Sequence, residues 1–185
     1  MTAKEIMVDL ETKMKKTVEA TQREFGAIRT GRASVALVDN VRVEYYGTVT
    51  PLKQMAAIST PDARSILIHP WDKAALAEIE KAILKSDIGI SPTNDGNSIR
   101  LAIPPLTTER RAELDKILKK ISEDGRVSVR TARHHAMEAI KKTEKDKTMT
   151  EDERFKTQEQ IQKTTDKYIK EIDNILASKE KEIQA

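Results

Sequence analysis

The feature that most narrows what this chain can fold into is a change of hydrophobic period part-way along it. Apolar positions recur every three to four residues towards both ends and every two residues in between. From Ala3 to Ile28 one stripe runs through Ala3, Met7, Leu10, Met14, Thr17, Thr21 and Ile28, which predicts an amphipathic helix of about seven turns. Thr30, Gly31, Arg32, Ala33 and Ser34 then weaken helical continuation and place a boundary near Gly31.

Beyond that boundary Val41 to Tyr45 alternate as in a strand, and Thr48 to Thr50 precede Pro51 as a second one. Met55 to Ser59 and Ser65 to His69 read as two more, while Asp72 caps a short helix carrying Leu76, Ile79 and Ile83 on one face. Asn94, Asp95 and Gly96 are a strong turn signal and predict a last hairpin between Ile88 to Ser91 and Ile99 to Ile103. Pro104 and Pro105 end it, because consecutive prolines fix φ and stiffen the connection.

The helical period then returns. Thr107 or Thr108 is placed to cap a long helix with Glu109 near its positive end, and the expected stripe is Leu114, Ile117, Leu118, Ile121, Val129, Ala132, Ala136 and Ala139. Gly125 interrupts it at a cost of about 1 kcal/mol relative to Ala, with no reason visible in the sequence. Thr150 and Glu153 make a capping box for a third helix, whose stripe Ile161, Thr165, Tyr168, Ile172, Ile175 and Ile183 keeps a period near 3.5. No one helix can bury its stripe alone. The chain is therefore expected to be α+β: a long three-helix bundle of residues 1–29 and 107–185 with a small β/α/β domain, residues 30–106, inserted in it. The two crossings, at Arg29, Thr30, Gly31 and Arg32 and at Pro104 and Pro105, can act as a hinge.

A net charge of +3 on 185 residues is too small to identify a nucleic-acid binder, so distribution has to carry the argument. Residues 30–106 hold 8 basic and 8 acidic groups, whereas residues 107–147 hold 12 basic and 8 acidic ones. At about 100° per residue, Lys119, Arg126, Arg130, Arg133 and Lys141 share one arc, roughly opposite the Leu114, Ile121 and Ala132 stripe. Their spacing is near the repeat of a phosphate backbone, and no acidic residue lies between Gly125 and Met137 to pair with Arg126, Arg130 or Arg133. Arg110 and Arg111 stand in the first helical turn, where cations oppose the dipole and an anionic partner would relieve them. His134 extends the ridge. Alone, the ridge implies only an anionic partner, and a general RNA-binding or chaperone-like helical adaptor would also fit it.

Other chemistries find little support. There is no Cys, so thiolate sites and Cys nucleophiles are excluded, and the six glycines are isolated, so no phosphate-cradling loop is encoded. His134 and His135 are adjacent and point apart on a helix, His69 ends a strand, and no metal set is expected. No carboxylate stands in an apolar context that would fit it for acid or base catalysis. No apolar run approaches the roughly 20 residues of a membrane span. Neither a signal peptide nor a transit pattern is present at the start, and a cytoplasmic, non-enzymatic protein without cofactor is expected.

Several of these segments resemble one family. Ile28-Arg-Thr-Gly-Arg-Ala-Ser34, Val43-Glu-Tyr-Tyr-Gly-Thr48, Ser86-Asp-Ile-Gly-Ile90, Pro104-Pro-Leu-Thr-Thr-Glu-Arg-Arg111 and the Val129-Arg130 to Arg133 stretch are similar, in order, to ribosome recycling factors. The resemblance implies an L-shaped monomer that enters the post-termination ribosome and contacts the RNA of the large ribosomal subunit. With elongation factor G, which hydrolyses the GTP, it would split the ribosome and release mRNA and deacylated tRNA. It further implies that Arg111, Arg130 and Arg133 bind ribosomal RNA and that Gly31, Pro104 and Pro105 are hinge positions. One departure is local: the family commonly shows Arg-Arg where this chain has Arg133-His134, and an acid where it has His135.

Overall fold

The computed structural model describes residues 1–184 and divides the chain into two compact units. One comprises Met1–Arg29 with Thr107–Ala185, the other Thr30–Leu106.

The first unit is a bundle of three long helices, α1 (Ala3–Gly26), α3 (Thr108–Lys145) and α4 (Glu151–Gln184). Each start is set by a threonine. Thr2 accepts from the Glu5 N–H while Glu5 accepts from the Thr2 N–H, and Thr150 and Glu153 repeat that reciprocal cap on α4. Thr107 caps α3 by accepting from the Arg110 N–H. The core joins Ile6, Leu10, Met14 and Val18 to Val129, Ala132, Ala136 and Ile140 and to Ile161, Tyr168 and Ile172.

Several expected positions shift. On α1 the deepest row is Ile6, Leu10, Met14, Val18, Thr21 and Phe25, while Ala3, Met7, Thr17 and Ile28 are its half-buried flank. A helix wedged between two neighbours buries a band wider than one row, and the expected stripe followed one edge of that band. The helix also stops at Gly26, two residues before Ile28, whose N–H donates to the Phe25 carbonyl in a tightened last turn. On α3 the buried row includes Ser122, Gly125 and Ile140, and Ile117, expected inside, is exposed.

Gly125 has a clear cause in the packing. A Cβ there would lie 2.8 Å from Thr21 Oγ1 and 3.3 Å from Ile172 Cδ1, so α1 and α4 both press on α3 at the one position with no side chain. Thr21 turns its hydroxyl hydrogen to the Thr17 carbonyl, which satisfies it at this dry crossing.

In the second unit the hairpin of β1 (Arg42–Tyr45) and β2 (Thr48–Pro51) turns through Tyr46 and Gly47, with Tyr45 opposite Thr48. Both turn residues have positive φ, 50° and 76°, the geometry of a two-residue type I′ turn. A four-stranded antiparallel sheet is ordered β3-β4-β6-β5, from β3 (Ala56–Asp62), β4 (Ser65–Pro70), β5 (Pro92–Asn94) and β6 (Ile99–Ala102). Helix α2 (Leu76–Lys85) supplies Leu76, Ile79 and Ile83 to a core shared with Val43, Ile66, Ile68, Ile99 and Leu101. Asp72 caps the 3₁₀ turn before α2 by accepting from the Ala74 N–H, and it also accepts the Tyr45 hydroxyl proton. These bonds hold the Asp72 carboxyl below its usual range, the Tyr45 bond first, and push Tyr45 up to about 12.

The last hairpin differs from expectation. Its first strand is Pro92–Asn94 rather than Ile88 to Ser91, because Gly89 takes φ +70° and breaks extended pairing there. Pro92 can begin a strand because β5 lies at the sheet edge. The module's two ends meet at Gly31, whose φ is +74°: a Cβ there would lie 3.0 Å from Leu106 Cγ.

Gly125→Ala should destabilise the chain by about 1–2 kcal/mol, overpacking outweighing the gain in helix propensity. Thr21→Ala, which deletes the atom in the way, should recover most of that loss in the double variant. Urea unfolding followed by helical circular dichroism measures both.

Candidate nucleic-acid interface

Helix α3 runs for 38 residues and carries every cation of the expected ridge. It pairs with α4 through the short turn between Lys145 and Glu151, so the two helices are antiparallel, and residues separated by sevens on one come level with residues separated by sevens on the other. Arg126 reaches Asp173, with Nε and Nη2 at 2.8 and 2.7 Å from Oδ1. One heptad towards the turn, Arg133 Nε donates to Gln162 Oε1 at 2.9 Å, and Gln162 Nε2 donates to Asp166 Oδ1 at 2.9 Å. One heptad the other way, Lys119 bonds Asp115 at 2.9 Å and feels the charge of Glu180. Asp115 first, and Glu180 after it, raise Lys119 above its ordinary range.

The ridge therefore differs in two respects from the expectation. It does not lie opposite the buried stripe but beside it, along the seam with α4, which leaves Arg126 and Arg133 only partly exposed. Nor are Arg126 and Arg130 without acidic partners, although Arg133 has none among the described residues. Glu123, three residues before Arg126 and seven before Arg130, accepts from both, at 3.2 and 3.0 Å, and Asp173 comes from the neighbouring helix. Counting acids between Gly125 and Met137 overlooks a turn upstream and the facing helix, both within reach of a long side chain. The bonds from Arg130 and then Arg126 hold the Glu123 carboxyl below its usual range.

The remaining cations divide by position. Arg110 pairs with Glu113 at 3.0 Å and Lys141 with Glu138 at 3.4 Å, all four well exposed. Arg111 is half-buried, and its Nε is buried without a hydrogen-bond partner in the described residues. His134 and His135 are exposed, with ring centroids 6.3 Å apart. Among the described residues no cluster of three His, Asp or Glu side chains is placed to hold a metal ion, and no helix is long and apolar enough to cross a membrane. What the face presents is a row of cations, some neutralised by carboxylates and some not, suited to a polyanion rather than to bond-making chemistry.

Comparison with known proteins decides the lineage. The profile of the family described as ribosome recycling factor matches residues 21–183. The chain belongs to the ribosome recycling factor family. A ribosome-recycling factor of Thermosynechococcus vestitus is 57% identical over 177 residues, 96% of this chain and 97% of that one. Another from Pelotomaculum thermopropionicum is 55% identical over 181 residues, 98% of each chain. Among solved structures, a solution structure of a ribosome recycling factor is similar with a TM-score of 0.75 and 46% identity, covering 98% of this chain and 97% of that one. A T. thermophilus ribosome recycling factor, shown with E. coli elongation factor G bound to the E. coli post-termination complex, is similar with a TM-score of 0.65 and 40% identity over the whole of both chains. Family membership thus extends across both compact units, and the α3 face lies within the matched residues.

The contact between α3 and α4 should be measurable. A double-mutant cycle on Arg126→Ala and Asp173→Ala is expected to give a coupling of about 1 kcal/mol in thermal unfolding, since Asp173 is half exposed, and the coupling should shrink in high salt.

Proposed function

We propose that this chain recycles ribosomes: with elongation factor G and GTP it splits the post-termination ribosome into subunits and frees mRNA and deacylated tRNA. The observation that carries this reading is the family match along nearly the whole chain, together with the bound state of the T. thermophilus relative. The chain acts as a cytoplasmic monomer. It is not an enzyme and needs no cofactor, the nucleotide being hydrolysed by its partner.

In this reading the α3 face grips RNA of the large ribosomal subunit through Arg110, Arg111, Lys119, Arg126, Arg130, Arg133 and His134. Cations spaced by three, four and seven residues along a straight helix can follow successive phosphates, and each one engaged releases counterions. Arg111 favours this role because it is a half-buried cation in the first turn of α3, where it opposes the helix dipole and an RNA phosphate would relieve it. The hinge comprises Arg29, Thr30, Gly31 and Arg32 on one crossing and Pro104 and Pro105 on the other. Gly31, at positive φ, leaves one crossing free to turn at that residue, while the two prolines restrict the other. Movement would thus be confined to few torsions and the push of the elongation factor transmitted through them.

Light scattering of post-termination ribosomes mixed with the chain, a matched elongation factor G and GTP tests the function: subunit splitting is expected, and intact ribosomes would reject it. Arg133→Ala should weaken binding to large subunits about tenfold and lower the salt dependence by about one counterion. Equal affinity for large subunits and for unrelated RNA duplexes would point instead to a general RNA adaptor.

A further inference from the structure

The two arginines one heptad apart on α3, Arg126 and Arg133, are held in different chemical ways. Arg126 spends Nε and Nη2 on Asp173 and Nη1 on Glu123, and its side chain is only 20% exposed. It lies between two carboxylates with its charge compensated. At the next level the facing helix again carries an acid, Asp166, seven residues before Asp173, yet that carboxylate does not meet the arginine. Gln162 stands between them. Its amide N–H donates to Asp166, so its oxygen is the end turned to Arg133, and Arg133 gives it Nε alone.

This arrangement separates direction from neutralisation. A neutral amide fixes the plane of the guanidinium through one of its five donors and leaves the four on the two terminal nitrogens uncommitted. No carboxylate lies within ion-pair distance of Arg133 among the described residues, so its full charge is available to a partner. A second effect reinforces the first. Asp166 fixes which way the exposed Gln162 amide faces, and a reversed amide would oppose N–H to N–H and push the arginine away.

We infer that Gln162, backed by Asp166, is the residue that positions Arg133 to take a phosphate of the RNA backbone bidentately. The inference rests on the RNA-binding role of this face and adds a distinction within it: Arg126 bolts α3 to α4, whereas Arg133 is aimed outward.

Binding of the full-length chain to isolated bacterial large ribosomal subunits, titrated from about 50 to 200 mM salt, tests the inference. Gln162→Glu puts a carboxylate on Arg133 as Asp173 is on Arg126. It should shift the unfolding midpoint little, the new attraction to Arg133 opposing repulsion from Asp166, while weakening binding about tenfold and lowering the salt slope by about one. Gln162→Ala should weaken binding about threefold to tenfold in the parent and not at all in an Arg133→Ala background. Asp166→Ala should produce a smaller loss that likewise disappears without Arg133. Unchanged binding by Gln162→Glu, or a Gln162→Ala loss that persists beside Arg133→Ala, overturns the inference while leaving the RNA-binding role intact. If Arg133→Ala itself binds as the parent does, both the role of Arg133 and its positioning fall together.

Discussion

The helical unit depends on how closely three backbones approach at Gly125. With Thr21 Oγ1 2.8 Å and Ile172 Cδ1 3.3 Å from where a Cβ would stand, α1 and α4 are seated against the same point of α3. Such a crossing fixes the register of each pair. Once Gly125 faces Thr21 and Ile172, the next layers follow from helical geometry, bringing Val129, Ala132 and Ala136 level with residues of α1 and α4 that are spaced to meet them. A glycine in the middle of a 38-residue helix costs local propensity, and the cost is offset by packing on two sides at once.

That register also determines the electrostatics of the seam. Lys119, Arg126 and Arg133 descend α3 in sevens as Glu180, Asp173 and Asp166 ascend α4 in sevens, so a single alignment brings three cations to the level of three acids. Had all three pairs closed directly, the face would be a compensated structural edge with little attraction for a polyanion. They do not close alike. Asp173 meets its arginine, Glu180 acts on Lys119 at longer range behind Asp115, and Asp166 acts through an amide. Packing and the proposed RNA-binding role can therefore share one seam because the degree of neutralisation varies from level to level.

Much of the architecture could be read from the chain because it is written in short-range signals. Thr150 and Glu153 cap the helix they were expected to cap, the 3.6-residue and two-residue periods fall in the right segments, and the Asn94 to Gly96 turn joins two strands. The errors are where a signal needs a partner elsewhere. Ile6, Val18 and Phe25 belong to a buried band whose width depends on two neighbouring helices, and Gly125 has no meaning until Thr21 faces it. On the interface, the run Arg126, Arg130 and Arg133 was visible, but its compensation was not. Asp173 lies 47 residues from Arg126, and Gln162 is an unremarkable polar residue until the antiparallel alignment brings it level with Arg133. The mirrored sevens were a legible clue, since a short turn between two helices implies such an alignment.

The choice of arginine over lysine at position 133 follows from the same geometry. A lysine has one ammonium at the end of a flexible stem, and its three donors radiate from a single atom. Bonded to the Gln162 oxygen, it would turn its charge towards α4, and bonded to a phosphate it would release the amide. Guanidinium has donors on separate edges of a rigid plane, so the Nε edge can be tied down while the opposite edge remains square to an incoming oxyanion. The tether costs one hydrogen bond's worth of freedom before any partner arrives, and that ordering need not be supplied again on binding. A helix face built in this way separates the cations that hold the bundle together from those that reach out of it.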